Sequence, residues 1–126
     1  MTAQPQASDA LTSPEDAFVR EETVGRVRRL TLCDTKRRNL LTTEMMAALD
    51  AALERAAGDD DIRCVVIAGE GPAFSAGHDL KAMTGHYHDE DGGRAYFERL
   101  FDQCSALMYG IARNPRPIIA EVRTVA

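Results

Sequence analysis

Residues 62–81, IRCVVIAGEGPAFSAGHDLK, are the stretch that decides the fold. Residues 62–68 form a nearly unbroken apolar run, which predicts a strand buried on both faces, as in a parallel sheet. Residues 69–72 are typical of a turn, and residues 74–81 lead from it into the start of a helix. A chain that passes from a strand through glycines into a helix leaves backbone N–H groups free, and these suit an anionic or strongly polarised oxygen. The stretch therefore predicts a binding loop behind a buried strand.

Composition is typical of one small soluble domain. The chain has 126 residues, of which 44% are hydrophobic and 28% charged. A net charge of −5 argues against a nucleic-acid surface, and no apolar run has the length of a membrane span. Three separated cysteines, Cys33, Cys64 and Cys104, argue against a disulfide framework or a zinc site. We therefore expect a cytoplasmic protein with neither nucleic acid nor membrane among its partners.

The N-terminus differs in composition from the rest. Residues 1–18 are mostly Ala, Gln, Ser, Thr, Asp and Pro, too poor in apolar side chains to pack. They contain no arginine and no apolar centre, so they resemble neither a transit peptide nor a signal peptide. We predict a disordered N-terminal arm over residues 1–20 and one folded domain over residues 21–126.

Strand-like and helical periodicity alternate along this domain. The pattern predicts strands near residues 24–32, 62–68 and 117–122, and helices near residues 43–57 and 93–113. Short links between alternating strands and helices are typical of an α/β fold.

Helical spacing also predicts which residues pack. The first helix begins at Thr42 or Thr43, and its apolar residues are Met45, Leu49, Ala52, Leu53 and Ala56. The apolar residues of the second helix are Phe97, Leu100, Phe101, Cys104, Leu107, Met108 and Ile111. Residues 84–93, TGHYHDEDGG, are polar and bounded by glycine, which predicts a mobile loop.

Several charged residues admit more than one interpretation. Arg26, Arg28 and Arg29 are most simply the solvated side of the first strand. The basic run 36–38 is either a solvated stretch or a contact for a phosphate-bearing ligand. His86, His88 and Asp89 lack further ligands on a rigid scaffold, so we predict no metal site there.

Four segments resemble the enoyl-CoA hydratase/isomerase family, also called the crotonase family. They are RNLLT at 38–42, DIRCVVI at 61–67, FSAGHDLK at 74–81 and RPIIAEV at 116–122, in the family's order and spacing. The GHDLK form of the loop, together with Phe101-x-x-Cys104, looks like the subgroup of enoyl-CoA hydratase domain-containing protein 3. The resemblance covers about residues 22 to 122.

The resemblance implies a crotonase-like ββα spiral and an acyl-CoA thioester as ligand, with coenzyme A as part of the substrate and no separate cofactor. In the family, a backbone N–H just after the motif glycine holds the thioester oxygen, and here that N–H belongs to His78. The positions similar to those around coenzyme A are Ala76, His78, Asp79, Leu80 and Lys81. Asp79 is also a good helix cap, and Lys81 is either a phosphate contact or a solvated charge. Family members often form homotrimers or homohexamers.

The chain also departs from the family pattern near its C-terminal residues. In the family, the strand that matches residues 118–122 runs into a glycine-rich turn that supplies a second oxyanion donor, but here Thr124 stands where a glycine is usual. We therefore expect an incomplete, truncated crotonase-like domain over residues 21–126, the N-terminal half only. Two functions stay open. One is a hydratase, isomerase or related lyase of fatty acid metabolism. The other is a non-catalytic module for weak coenzyme A binding or protein interaction.

Overall fold

The computed structural model describes residues 18–126 of the chain. The predicted disordered arm therefore lies almost entirely outside the described residues. Val19 and Arg20, which the prediction placed in that arm, are the first two residues of a strand.

The described residues form one four-stranded sheet in the order β1-β2-β3-β4. Its strands are β1 (Val19–Val24), β2 (Val27–Leu32), β3 (Cys64–Gly69) and β4 (Ile118–Glu121). β1 and β2 form an antiparallel hairpin, whereas β2, β3 and β4 run parallel to one another. The central position of β3 between two parallel neighbours confirms the strand predicted at residues 62–68.

The strand predicted at residues 24–32 is confirmed over residues 27–32, which form β2, but its start was wrong, because Val24 ends β1 and a hairpin turn separates the two strands. Gly25 has φ +61°, which lets the chain reverse between Val24 and Val27 in a tight turn. β1 is polar and almost wholly exposed, so it has no apolar pattern that would mark it in the sequence. Backbone pairing with β2, rather than side-chain burial, holds it in the sheet.

Within residues 18–126, three α-helices accompany the sheet: α1 (Thr43–Ala57), α2 (Leu80–Gly85) and α3 (Arg94–Arg113). The N-cap of α1 is Thr42, whose Oγ1 accepts a hydrogen bond from the Met45 N–H at 3.0 Å. The predicted cap and helix are thus confirmed. None of the described helices is long and apolar enough to cross a membrane.

The segment predicted as a mobile loop at residues 84–93 is only partly a loop. It contains the end of α2 and a 3₁₀ turn at His86–His88. The His86 ring stacks on Tyr96 at 3.7 Å, and its Nδ1 lies 2.7 Å from Asp89 Oδ2. The segment therefore contains regular structure, whereas its mobility stays a prediction.

One core joins the sheet to the two longer helices. Leu30 and Ile67 of the sheet pack with Leu49 of α1 and Leu107 of α3. All the predicted apolar residues of α1 are buried. The predicted face of α3 was only partly right: Leu100 and Leu107 are buried, whereas Phe101 and Met108 are largely exposed. β4 is an edge strand with Ile119 about half exposed, at 53%.

Two of the three arginines assigned to a solvated side are held in ion pairs. The Arg28 side chain is only 13% exposed, and its Nη2 donates to Asp59 Oδ2 at 2.9 Å. Arg29 donates through both of its terminal nitrogens to Glu121. The partners lie far away in the sequence, so the local pattern gave no sign of them. Arg26 is exposed, as predicted.

Candidate functional site

The loop that follows β3 turns back sharply on the strand. A Cβ atom on Gly69 would lie 2.7 Å from both Cα and O of Phe74, so a residue with a side chain does not fit there without a shift. Gly71 and Gly77 both have φ +89°, a conformation that favours glycine. These glycines bring residues 74–81 to the end of β3 where the parallel strands terminate.

Asn39 fastens this loop from the other side. It is fully buried, and its Nδ2 donates to the Glu70 and Ala73 carbonyl oxygens at 3.0 Å each. The backbone carbonyl oxygen of Asn39 accepts a hydrogen bond from Ser75 Oγ at 2.8 Å. Asn39 also has φ +55°, which asparagine tolerates better than most residues. Asn39 lies in the RNLLT segment at 38–42, but nothing in the local sequence indicates this bridging role.

Backbone hydrogen bonds complete the attachment. The Ala76 N–H donates to the Arg38 carbonyl at 2.9 Å, and the Leu41 N–H donates to the Gly77 carbonyl at 2.8 Å. Ala76 and Gly77 of the loop are therefore both hydrogen-bonded to the segment that precedes α1. A loop held in this way presents its remaining backbone groups in a fixed direction.

Four successive backbone N–H groups follow Gly77 without a protein acceptor in the described residues. Among the described residues, no protein group accepts from the N–H of His78, nor from those of Asp79, Leu80 and Lys81. The Asp79 side chain instead caps α2, because its Oδ1 accepts from the Ala82 N–H at 3.1 Å. The predicted cap is confirmed, and the His78 N–H is available to an outside acceptor.

The five predicted site residues lie together, but they differ in exposure. His78 and Asp79 are half-buried, whereas Ala76, Leu80 and Lys81 are exposed. The His78 Nδ1 atom is buried and has no partner among the described residues. These positions are compatible with the predicted roles, which stay predictions.

An apolar cavity of about 280 Å³ adjoins the loop. Phe74 and Ser75 are the loop residues in its wall, and the sheet, the segment before α1, α1 itself and α3 supply the rest. The other lining residues are Leu32, Leu41, Leu49, Ile67, Leu107, Met108, Ile111, Ile118 and Ala120. No side chain that ionises near neutral pH is among the described residues of this wall. The cavity suits an apolar group, and sequence periodicity alone had given no sign of it.

A second cavity of about 220 Å³ has a mixed polar and apolar wall and lies between α1, α2 and α3. Its wall includes Arg37 from the basic run, the capping carboxylate of Asp79 and the ring of Tyr96. Arg37 Nε lies 3.6 Å from Asp34 Oδ2, and the Arg37 side chain is about half exposed. The guanidinium therefore lies close to the loop and remains accessible from solvent.

Other titratable groups give no sign of a metal centre. No group of three or more metal-ligating side chains occurs within residues 18–126.

The Arg29 guanidinium, hydrogen-bonded to Glu121, holds the pKa of that carboxyl below its usual range, and Arg123 acts in the same direction. The Glu121 carboxylate is thus engaged by two arginines.

The family profile described as enoyl-CoA hydratase/isomerase matches residues 27–123, which include the loop, its attachment and the four segments quoted above. The chain belongs to the enoyl-CoA hydratase/isomerase family. Human enoyl-CoA hydratase domain-containing protein 3, mitochondrial, is 37% identical over 100 residues. That relative confirms the subgroup resemblance.

Solved structures support the same assignment. The crystal structure of human enoyl-CoA hydratase domain-containing protein 3 superimposes with a TM-score of 0.75 at 33% identity, covering 85% of this chain and 40% of that one. An enoyl-CoA hydratase from Mycobacterium smegmatis gives 0.74 at 40% identity, covering 83% and 39%. The predicted α/β, crotonase-like fold is therefore confirmed.

The matches cover unequal shares of the proteins compared. The alignment with the human protein spans 79% of this chain but only 31% of that protein. The chain thus matches about a third of the length of this curated relative. The division into residues 1–20 and 21–126 and the expected truncation stay predictions.

Proposed function

We propose that this chain binds acyl-CoA thioesters and belongs to a hydratase- or isomerase-like protein of fatty acid metabolism. The observation that carries the proposal is the His78 N–H, which has no acceptor in the described residues and lies in a loop fixed beside an apolar cavity. In this proposal the thioester oxygen accepts from that N–H. A preorganised donor of this kind stabilises the charge that grows on the oxygen as an enolate forms, by roughly 3 kcal/mol.

The cavity supports a fatty acyl group as the part of the ligand beyond the thioester. Its wall is almost entirely aliphatic and aromatic, and Ser75 is already hydrogen-bonded to the Asn39 carbonyl. Each methylene transferred from water into such a site contributes about 0.8 kcal/mol, or roughly fourfold in affinity. Affinity should therefore rise from acetyl-CoA to butyryl-CoA.

Positive charge near the loop supports binding of the coenzyme A portion of the ligand. The chain as a whole carries −5, so an anionic ligand needs a local cluster of positive charge. Lys81, Arg37 and Arg38 are exposed on the loop and on the segment that fastens it. We assign them to the phosphates of coenzyme A, with Ala76, Asp79 and Leu80 beside the pantetheine and adenine.

A second candidate function is binding without catalysis. Water addition to an enoyl thioester needs groups that transfer protons at the substrate carbons. The described wall of the apolar cavity offers none, while Asp79 caps α2 and Glu121 is paired with arginines. A coenzyme A-binding or interaction module uses the same loop and needs no such group. Homo-oligomer formation and a cytoplasmic location are parts of the proposal that rest on the sequence.

Calorimetric titration tests the role of the His78 N–H. His78→Pro removes the N–H, whereas His78→Ala keeps it and removes only the imidazole. A hydrogen bond of ordinary net strength predicts that butyryl-CoA binds His78→Pro about 2- to 12-fold more weakly than His78→Ala. Equal affinities in two variants with the same circular dichroism would contradict the assignment.

A ligand series gives the same test without altering the protein. S-butyl-CoA is a thioether that keeps the chain and the nucleotide but lacks the carbonyl oxygen. Wild-type protein should bind it about 2- to 12-fold more weakly than butyryl-CoA, for the same physical reason. A protein that does not distinguish the two ligands has no donor at the thioester oxygen.

A further inference from the structure

An ion pair spans the sheet on the face opposite the helices. Arg29 alternates with Leu30, which is in the core, so its side chain projects from the other face. Its Nη1 and Nη2 lie 2.7 Å and 3.1 Å from the two carboxylate oxygens of Glu121. β3 lies between the two strands that carry these residues, so the side chains meet across it.

This pair fixes the end of a weakly held strand. β4 is four residues long, and within residues 18–126 it pairs only with β3. Glu121 is its last residue, and Arg123 also contacts the Glu121 carboxylate. Bidentate pairing between arginine and a carboxylate sets direction as well as distance. The ion pair therefore determines where the chain leaves β4.

The segment that leaves β4 reaches the binding loop directly. Val125 forms a parallel bridge with Ala73, and its carbonyl accepts from the Phe74 N–H at 2.7 Å. Phe74 is also a wall residue of the apolar cavity and precedes His78 by four positions. The loop is thus held by Asn39 on one side and by Val125 on the other.

We propose that Arg29 and Glu121 are positioning residues for the binding loop. Their ion pair holds the exit of β4, Val125 then holds Phe74, and Phe74 sets the cavity wall and the approach to the His78 N–H. Neither side chain touches the ligand. The ligand-binding consequence rests on the proposed function, whereas the effect on Phe74 does not depend on any ligand.

Amide hydrogen exchange at Phe74, followed by NMR, tests the first step. Arg55→Ala is the matched control, because Arg55 also forms a bidentate pair, with Glu21, but this pair links α1 to β1 and does not contact the loop. In Arg29→Ala, exchange at Phe74 should accelerate roughly two- to fivefold relative to the control, the range for a partly exposed ion pair. Equal rates in the two variants would overturn the proposal.

Charge reversal separates positioning from a general loss of stability. Arg29→Glu should accelerate exchange at Phe74 and weaken binding of butyryl-CoA, and adding Glu121→Arg should restore both. A double variant as impaired as Arg29→Glu would overturn the proposal. If wild-type protein does not bind butyryl-CoA, the proposed function fails, yet the exchange measurement still decides the positioning role. If binding is present but equal in all variants, only the positioning role fails.

Discussion

Replacing Asn39 by alanine should destabilise the chain by about 3 to 4 kcal/mol. Its amide makes two hydrogen bonds, each contributing roughly 1 kcal/mol net. Ala73 is 5% exposed, so its carbonyl oxygen is left without a donor in a place that water does not easily reach, which adds about 1 kcal/mol or more. The positive φ of this residue adds up to roughly 1 kcal/mol, because alanine adopts it less readily than asparagine. A loss of this size is a large part of the 5–15 kcal/mol typical of a domain.

Urea unfolding followed by circular dichroism measures this loss. Gln103→Ala is the matched control, since the Gln103 amide also donates to a backbone carbonyl, that of Thr43, but at the exposed surface where water replaces it. The control should lose less than about 0.5 kcal/mol. Asn39→Asp keeps the size and the tolerance of positive φ but loses both donors, so it should be no more stable than Asn39→Ala. An Asn39→Ala protein as stable as the control would refute the bridging role of Asn39.

Three further predictions concern the cap, the ion pair and the chemistry. Thr42→Ala should lower the free energy of unfolding by about 1 kcal/mol in urea, because the Met45 N–H loses its acceptor; an unchanged midpoint would contradict it. Because the pKa of Glu121 is lowered in the folded state, the stability that its charge contributes should be complete above the unfolded pKa of about 4.3 and lost as the pH falls through the folded value. Urea midpoints of wild type and Glu121→Gln should therefore converge on acidification, and a constant difference would refute this. Finally, the 126-residue chain alone should not hydrate crotonyl-CoA at a useful rate when the loss of thioester absorbance is followed. Robust turnover of crotonyl-CoA by the wild-type chain would contradict this prediction.

Local physical rules were sufficient for the elements that depend on neighbouring residues. Thr42 and Asp79 cap their helices through side chains that reach three residues ahead, so the sequence alone identified both. The apolar spacing of α1 likewise predicted its buried face. The loop after β3 was predictable because glycines follow an apolar strand directly.

Contacts between distant residues were not predictable in this way. Arg29 and Glu121 are 92 positions apart, and Arg29 was interpreted from its own segment as a solvated charge. The Asn39 amide reaches 31 and 34 positions ahead to its two carbonyl partners. β1 was missed because its polar residues are held by backbone pairing rather than by burial. The site loop could thus be found in the sequence, whereas the groups that fasten it required the fold.

Amide chemical-shift mapping with acetyl-CoA tests the central claim most directly. If the loop holds the thioester oxygen, addition of acetyl-CoA should shift the His78 amide most strongly, together with its neighbours at residues 76–81. Butyryl-CoA should extend the shifts to Phe74 and the other wall residues of the apolar cavity. Shifts confined to the N-terminal residues 1–18, with His78 unchanged at saturating ligand, would contradict the claim that this loop is the acyl-CoA site.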